Sequence, residues 1–271
     1  MLRIQQHEAV TCTEGIVQKA GRDSAIYVFI ADGMMIDTGP QIIADDLIPF
    51  HQEASFDSVV LTHSHEDHVG TAAWIEQHTQ VPIYIHENGV DNCAAKASYP
   101  KYRQLTWGIR EPFTALPIRA TIHSRTLDWK VLYTPGHAHD HIALIHEGTG
   151  RLFSGDLFLG IKTKVILQEE SIPLQIDSIR LVLSHDFGAM YCAHAGYIAD
   201  GRTVLQQKLD YLENLSGEIC RLHSLGLAEN EIQAHLFTAN LPIVEISEGE
   251  FDSLHIVRSV LADKRKEEKS C

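Results

Sequence analysis

Four candidate metal ligands, His63, His65, Asp67 and His68, stand within six consecutive positions, in the segment THSHEDH over residues 62–68. The segment follows an apolar run, and residues two apart at the end of a strand project to the same side. His63 and His65 can therefore bind one ion together. Asp67 and His68 come where the chain turns into a helix, so they can face a neighbouring position. Neutral imidazole and carboxylate suit zinc, iron and manganese alike, so the segment predicts ligands for two ions.

Three further candidate ligands each come directly after a predicted strand. His137 ends the segment TPGH, in which Pro-Gly turns the backbone sharply and sends the next side chain into a cavity. Asp156 ends FSGD and carries a carboxylate able to bridge two cations, and His194 lies within CAHAG. Each motif alone is typical of a structural histidine or a turn aspartate. Their common position at strand ends predicts that they join the first segment in one metal centre.

Composition limits the class of protein. The 271 residues carry a formal net charge of −14 at pH 7, so we expect nucleic acid to be repelled on average. Five cysteines, at positions 12, 93, 192, 220 and 271, lie far apart, which favours a reducing compartment over a disulfide framework. The start of the chain does not resemble a signal peptide, and no run of about 18 apolar residues occurs. These features predict a cytoplasmic protein with no membrane contact.

Periodicity predicts the elements that must position these side chains. Residues 24–37 are expected to form two antiparallel strands joined by a tight turn at Asp32-Gly33. Further strands are expected at 56–61, 81–86, 130–133, 142–146, 151–154 and 189–192, and helices at 44–50, 71–77, 179–183, from 204 toward Gly226, at 229–237 and at 251–261. Residues 91–125 form an irregular insertion. We predict an α/β protein with two mixed sheets packed face to face, flanked by helices and followed by a C-terminal helical extension.

The motifs THSHEDHVG, TPGH, SGD and AHAG, in this order, resemble the metal-binding motifs of the metallo-β-lactamase superfamily over residues 24–200. The resemblance implies an αββα sandwich with its metals at one edge, in a catalytic domain over residues 1–200 with a helical extension over 201–271 packed on it. It also implies how the ligands divide: His63, His65 and His137 on one ion, Asp67, His68 and His194 on the other, and Asp156 bridging. A bridging aspartate separates the chain from class B β-lactamases, which commonly place cysteine near that step.

The resemblance implies a dinuclear metal-dependent hydrolase, in which a metal-bridging hydroxide attacks an ester, thioester or lactone carbonyl and Asp67 orients the nucleophile. Two divalent ions are expected, with zinc favoured over iron or manganese, and the expected partner is a small-molecule substrate. The chain is similar to the glyoxalase II-like, or hydroxyacylglutathione-hydrolase-like, group. Asp156 leads here into LFLGIKTKVILQ, whereas glyoxalase II relatives have a Gly-Cys-Gly-Arg-like stretch, and quorum-quenching lactonases carry tyrosine at the position of Leu159.

Three alternative functions stay open at this point. A phosphodiesterase or ribonuclease of the same fold would need local positive charge, which the composition does not show. A sulfur dioxygenase of this fold uses one iron with two histidines and one aspartate, so the retained second ligand set disfavours it. A metal-bound regulatory module without turnover is the third alternative. The substrate, the physiological metal and the oligomeric state, including a homo-oligomer, also stay open.

Several polar side chains near the motifs have two interpretations each. Asp37 either orients a metal-binding histidine or caps a turn, and His141 either supports the ligands or packs in the core. His139 either lines the mouth of the site or lies outside it. Tyr197 either donates a hydrogen bond to a developing oxyanion or packs against its neighbours.

The surroundings of the metal motifs are predicted to select the substrate. Lys162 and Lys164 follow the bridging aspartate and either attract an anionic substrate or form a solvated pair. The insertion over 91–125, with Tyr102 and Trp107, and the C-terminal helices are expected to shape the pocket. The reason is that long irregular segments beside a compact domain are often functional.

Overall fold

The computed structural model of the chain describes residues 1–19 and 22–269. In this part of the chain, the first of two large sheets has seven strands in chain order: β1 (Arg3–His7), β2 (Val10–Lys19), β3 (Arg22–Ala31), β4 (Met34–Ile36), β5 (Ser58–Val60), β6 (Ile83–Ile85) and β7 (Leu116–Pro117). Neighbours pair antiparallel from β1 to β4 and parallel from β4 to β7. The sheet is therefore mixed.

The second large sheet is also mixed. Eight further strands follow along the chain: β8 (Thr121–His123), β9 (Asp128–Tyr133), β10 (Ile142–His146), β11 (Arg151–Gly155), β12 (Ile166–Leu167), β13 (Ala189–Cys192), β14 (Gly196–Ile198) and β15 (Phe251–Asp252). Six of them form the second sheet, in the order β14-β13-β11-β10-β9-β8. β11 and β13 pair parallel and the other neighbours antiparallel. β12 and β15 form a separate antiparallel pair.

The described part of the chain has ten α-helices, and several of them cover the outer faces of the two sheets. They are α1 (Ala44–Glu53), α2 (Glu66–Val69), α3 (Ala72–His78), α4 (Val90–Ala94), α5 (Lys101–Trp107), α6 (Ile172–Leu183), α7 (Gly201–Ser224), α8 (Glu229–Leu236), α9 (Pro242–Ile246) and α10 (Ser253–Lys269). None of the helices in the described part of the chain combines the length and the hydropathy needed to cross a bilayer. Cys12, Cys93, Cys192 and Cys220 are free thiols, and Cys271 lies outside the described residues.

Apolar side chains fill three layers, as expected when amphipathic faces pack against one another. The layer between the sheets contains large rings from both sides, namely Phe29, Trp129, Phe153 and Tyr191. A second cluster joins the outer face of the first sheet to α1 and α3, through residues such as Leu47 and Ile75. A third joins the outer face of the second sheet to α6, α7, α8 and α10. The predicted αββα sandwich is confirmed.

Most predicted elements are present with shifted ends. The turn at Asp32-Gly33 is confirmed, with φ of 48° and 76°, both positive as a tight hairpin turn requires. Phe251–Asp252 was predicted to begin a helix but forms β15, because it pairs with Ile166–Leu167 of β12. Strand β12 belongs to the predicted catalytic domain and β15 to the predicted helical extension, so this pairing connects the two. The division into two domains stays a prediction. Strands β1 and β2 were not predicted.

Candidate metal centre

Four chain segments converge at one edge of the sandwich, each just past the carboxyl end of a strand. Since β10 is antiparallel to β9 and β11, and β13 is parallel to β11, the carboxyl ends of β9, β11 and β13 meet at the same edge. The main-chain N–H of Ile142 donates to the carbonyl of Thr62 over 2.8 Å, which ties the end of β5 to the other sheet. The edge gathers all seven predicted ligands: His63, His65, Asp67, His68, His137, Asp156 and His194.

Two sets of donor atoms lie side by side at this edge. His63, His65 and His137 place ligand atoms within 4.8 Å of one another, and Nδ1 of His65 lies 3.1 Å from Nε2 of His137. In the second set, Oδ2 of Asp67 lies 3.3 Å from Nε2 of His194 and 3.6 Å from Nε2 of His68. A third group, His63 with His68 and Asp156, spans both sets, so the seven side chains lie together as one cluster.

Asp156 lies between the two sets. Its Oδ2 is 3.3 Å from Nε2 of His137 and 3.3 Å from Nε2 of His194, and its Oδ1 is 3.4 Å from Nε2 of His68. A register shift between Phe153 and Gly155 bends β11 just before this residue. One carboxylate thus reaches both sets, as a bridging ligand must.

Three buried polar atoms test whether these residues suit metal ions. Nε2 of His63, Nε2 of His68 and Oδ1 of Asp156 are inaccessible to solvent and form no hydrogen bond among the described residues. Leaving a buried polar atom unsatisfied costs about 1–3 kcal/mol, and native structures rarely do so without a reason. All three atoms face the same small volume and can donate a lone pair. The donor set therefore fits divalent cations.

The far nitrogens of the histidine rings are anchored by oxygen atoms. Nδ1 of His68 contacts Oδ2 of Asp37 over 2.8 Å, and Nδ1 of His137 contacts Oε2 of Glu170 over 3.2 Å. Nδ1 of His194 donates to the carbonyl of Ala25 over 2.9 Å. Such contacts fix the tautomer so that the lone pair of Nε2 faces the centre.

Asp37 has the orienting role rather than only a turn-capping one. It is buried, and its Oδ1 accepts the main-chain N–H of Thr62 over 2.7 Å while Oδ2 accepts from His68. The hydroxyl of Thr62 donates to the same carboxylate and accepts from Nδ1 of His63 over 3.1 Å. One carboxylate therefore orients one histidine of each set.

His141 lies outside the groups of candidate ligands and supports the main chain of Asp156. Its Nε2 accepts the main-chain N–H of Asp156 over 3.0 Å, and its Nδ1 lies 2.8 Å from Oγ1 of Thr134. Burial lowers the pKa of His141 to about 3, so the ring is neutral and can accept this bond. Gly155 has a φ of 48°, and a Cβ there would lie 2.6 Å from Nε2 of His141. The close approach explains the glycine before Asp156.

The donor set contains carboxylates that favour the ionised form and two histidines that favour the protonated form. Burial opposes charge on His68 and His194, but the carboxylates around them outweigh it and raise the pKa of each ring well above its usual value. Burial also opposes charge on Asp67 and Asp156, yet the neighbouring imidazoles lower the pKa of both carboxyls. Both carboxylates stay ionised. This negative charge attracts cations, and a bound metal must displace the protons of His68 and His194.

A cavity of about 790 Å³ opens beside the two ligand sets. Tyr102 and Trp107 of the insertion line it, together with Lys162 and Lys164. The ring centroid of Trp107 lies 6.4 Å from that of His194. The predicted contribution of the insertion to the pocket wall is therefore present.

Two other candidates lie elsewhere. His139 is exposed, and its Nε2 contacts the carbonyl of Asn88 over 3.2 Å. Tyr197 stacks on His7 with ring centroids 4.3 Å apart, which is a packing role.

A buried ion pair next to the candidate ligands was not predicted from the sequence. Arg103 of α5 donates to both oxygens of Glu66, with Nε to Oε1 over 2.6 Å and Nη2 to Oε2 over 2.8 Å. Glu66 lies inside the THSHEDH segment, but no local pattern points to Arg103. Glu170 was missed for the same reason, although it anchors His137.

Comparison with known proteins gives a consistent family match. A family model described as the metallo-beta-lactamase superfamily matches residues 24–202. The Probable metallo-hydrolase YflN of Bacillus subtilis (strain 168) is 26% identical over 165 residues, covering 54% of this chain and 62% of the relative. A hydroxyacylglutathione hydrolase of Aeromonas salmonicida (strain A449) is 30% identical over 199 residues, covering 70% and 67%. The matched part thus spans less than two thirds of the metallo-hydrolase relative.

A solved structure shares the architecture along nearly the whole chain. The metallo-beta-lactamase family protein TTHA1429 from Thermus thermophilus superposes with a TM-score of 0.69 at 18% sequence identity. The match covers 96% of this chain and 94% of that protein. At 18% sequence identity, this similarity shows that the two proteins share a fold.

Proposed function

Because the chain belongs to the metallo-beta-lactamase superfamily, we propose that it is a metal-dependent hydrolase that cleaves a carboxylic thioester. The proposal depends chiefly on one observation: the two donor sets meet at Asp156, and three of their buried donor atoms form no hydrogen bond among the described residues. Esters and lactones present the same carbonyl group and fall within the same reaction type. The thioester comes first because a relative at 30% identity is a hydroxyacylglutathione hydrolase.

We assign the ligands to two divalent ions: His63, His65 and His137 to one, Asp67, His68 and His194 to the other, and Asp156 to both. Ions held there would acidify a water molecule and polarise a carbonyl group. Zinc is favoured, with iron and manganese as alternatives, because histidine and carboxylate ligands suit all three.

Asp67 is the candidate catalytic residue among the ligands. It lines the cavity, and its lowered pKa keeps it ionised, so it can orient the attacking water by accepting a hydrogen bond from it. Water adds to the carbonyl carbon, the carbon–sulfur bond breaks, and the proton taken from water passes to the departing sulfur. The products are a carboxylic acid and a thiol. A thiol has a pKa of about 8.5 and therefore leaves more readily than an alcohol.

The test combines metal content with hydrolysis. Purified protein should hold two divalent ions per chain and hydrolyse an activated thioester, and a chelator should abolish the activity. His63→Ala should empty the first position and lower kcat/KM by orders of magnitude, since it removes one of three imidazoles. His139→Ala is the matched control, because this exposed histidine is close in sequence to His137 but outside the donor sets.

Two results would contradict the proposal. The first is a His63→Ala variant that keeps two ions and near-normal turnover, which would refute the ligand assignment. The second is one iron per chain with rapid oxygen uptake in the presence of glutathione persulfide, which would replace hydrolysis by oxygen chemistry.

A further inference from the structure

The cavity beside the ligand sets has an apolar wall built from three distant segments. These are α5, the chain between β11 and β12 with β12 itself, and the C-terminal residues from α9 to β15. At about 790 Å³ the cavity falls within the range of about 300–1,000 Å³ typical of small-molecule sites. The apolar wall includes Leu105, Trp107, Leu159, Leu241, Ile243 and Ile246.

Large apolar side chains on this wall are exposed to solvent. Leu105, Leu159 and Ile246 have exposed fractions of 54%, 46% and 49%, and each belongs to a different one of the three segments. Single exposed apolar residues are ordinary, but a contiguous group around a cavity marks a binding surface. The group borders the metal centre, because Trp107 in the same wall lies beside His194.

Three charged groups that line the cavity, those of Arg103, Glu170 and Lys208, are already engaged by other parts of the protein. Arg103 is held by both oxygens of Glu66. Oε2 of Glu170 accepts from Gln175 over 2.8 Å and contacts His137, while Oε1 accepts the main-chain N–H of Leu167. Lys208 is buried and donates to the carbonyl of Phe158. These groups cannot bind polar substituents of an acyl group without giving up their present partners.

From this wall we infer that the acyl side of the substrate is a large apolar group, such as a medium-length alkyl chain. The inference rests on the proposed thioester hydrolysis and narrows its substrate class. The carbonyl carbon lies at the ligand sets, and the alkyl chain extends between Trp107 and the residues of α9. A small hydroxylated acyl group would leave most of the apolar wall uncovered.

Acyl-coenzyme A thioesters of increasing length test the inference on the metal-loaded full chain. Burial of each methylene contributes up to about fourfold, so kcat/KM should rise roughly a hundredfold or more from acetyl to octanoyl. Trp107→Ala and Ile243→Ala should reduce the octanoyl value about tenfold and the acetyl value less than twofold. Leu225→Ala is the control, because this leucine is 65% exposed at the end of α7. A flat or falling profile in the native protein would overturn the inference.

A binding measurement separates this inference from the proposed reaction. S-octyl-coenzyme A is a thioether that cannot be hydrolysed, and calorimetry should show tighter binding of it than of S-methyl-coenzyme A. Trp107→Ala should remove this difference without changing metal content. Preferential octyl binding without hydrolysis of any thioester would refute the proposed function and keep the apolar site. Equal affinity for the two thioethers, with hydrolysis intact, would refute the apolar site alone.

Discussion

Replacing Asp37 by asparagine changes one atom in the buried network and should weaken metal binding at one position. The carboxylate accepts the N–H of Thr62 on Oδ1 and the ring N–H of His68 on Oδ2. In Asp37→Asn the amide oxygen can keep the bond to Thr62. The amide nitrogen then faces His68 and can only donate. The ring must adopt the other tautomer, which places a proton on Nε2, where the lone pair is needed.

The size of the effect follows from these contacts. Loss of an anchoring partner of a metal-binding histidine typically weakens metal affinity by about 10–100-fold, which corresponds to about 1.4–2.7 kcal/mol. A hydrogen bond to a charged group contributes about 1.5–3 kcal/mol, so the free energy of unfolding without metal should also fall. Competition with a chelator of known affinity gives the first quantity, and urea denaturation of metal-free protein gives the second.

Asp32→Asn is the matched control for this experiment. Asp32 also accepts several hydrogen bonds, from the hydroxyl of Ser124 and the main-chain N–H groups of Thr126 and Leu127, but it lies at a hairpin turn away from the ligands. The Asp32→Asn variant should have a lower free energy of unfolding, but it should bind metal at both positions as tightly as the native protein. If Asp37→Asn binds two ions as tightly as the native protein, the orienting role is refuted. If both variants lose affinity equally, the effect is a general loss of stability.

Three further predictions concern stability, pH and charge. Arg103→Leu leaves Glu66 buried without its partner and should lower the free energy of unfolding by about 3–5 kcal/mol in urea; a change below about 1 kcal/mol would contradict a buried pair. Burial lowers the pKa of His51 to about 4, so stability present above pH 6.5 should decline by up to about 3 kcal/mol as the pH falls toward 4, because the unfolded chain takes up the proton first. His51→Phe should flatten this decline, and an unchanged pH profile would exclude the residue as its source. Replacing Lys162 and Lys164 together by glutamate should raise KM several-fold for anionic coenzyme A thioesters but not for neutral p-nitrophenyl octanoate, and an equal rise for both would exclude electrostatic attraction.

The candidate metal ligands could be predicted from the sequence because their motifs are local. His63 and His65 share one strand end, and the spacing of Asp67 and His68 follows from the turn into α2. Strands alternate and helices repeat over short distances, so most of the individual strands and helices could also be predicted from neighbouring residues. The αββα sandwich was implied by the resemblance of the metal-binding motifs. The glycine before Asp156 is also visible in the local sequence. The side chain that requires a glycine there, the ring of His141, comes from a different segment of the chain.

The partners of these ligands were decided only by the tertiary structure. Asp37 and His68 are 31 residues apart, Arg103 and Glu66 are 37 apart, and His137 and Glu170 are 33 apart. Such contacts depend on how sheets and helices pack, and no local propensity encodes them.

The cavity beside the candidate ligands also depends on contacts between segments that are distant in the sequence. Its wall joins the insertion at Trp107, the chain after Asp156 and the C-terminal residues near Ile243. In the sequence these are three unrelated stretches with little periodicity. The pairing of β12 with β15 brings the last of them against the second. The sequence by itself therefore determined the candidate ligands, because their motifs are local. The packing of distant segments decided the shape and polarity of the space beside them, because those properties exist only between surfaces that folding brings together.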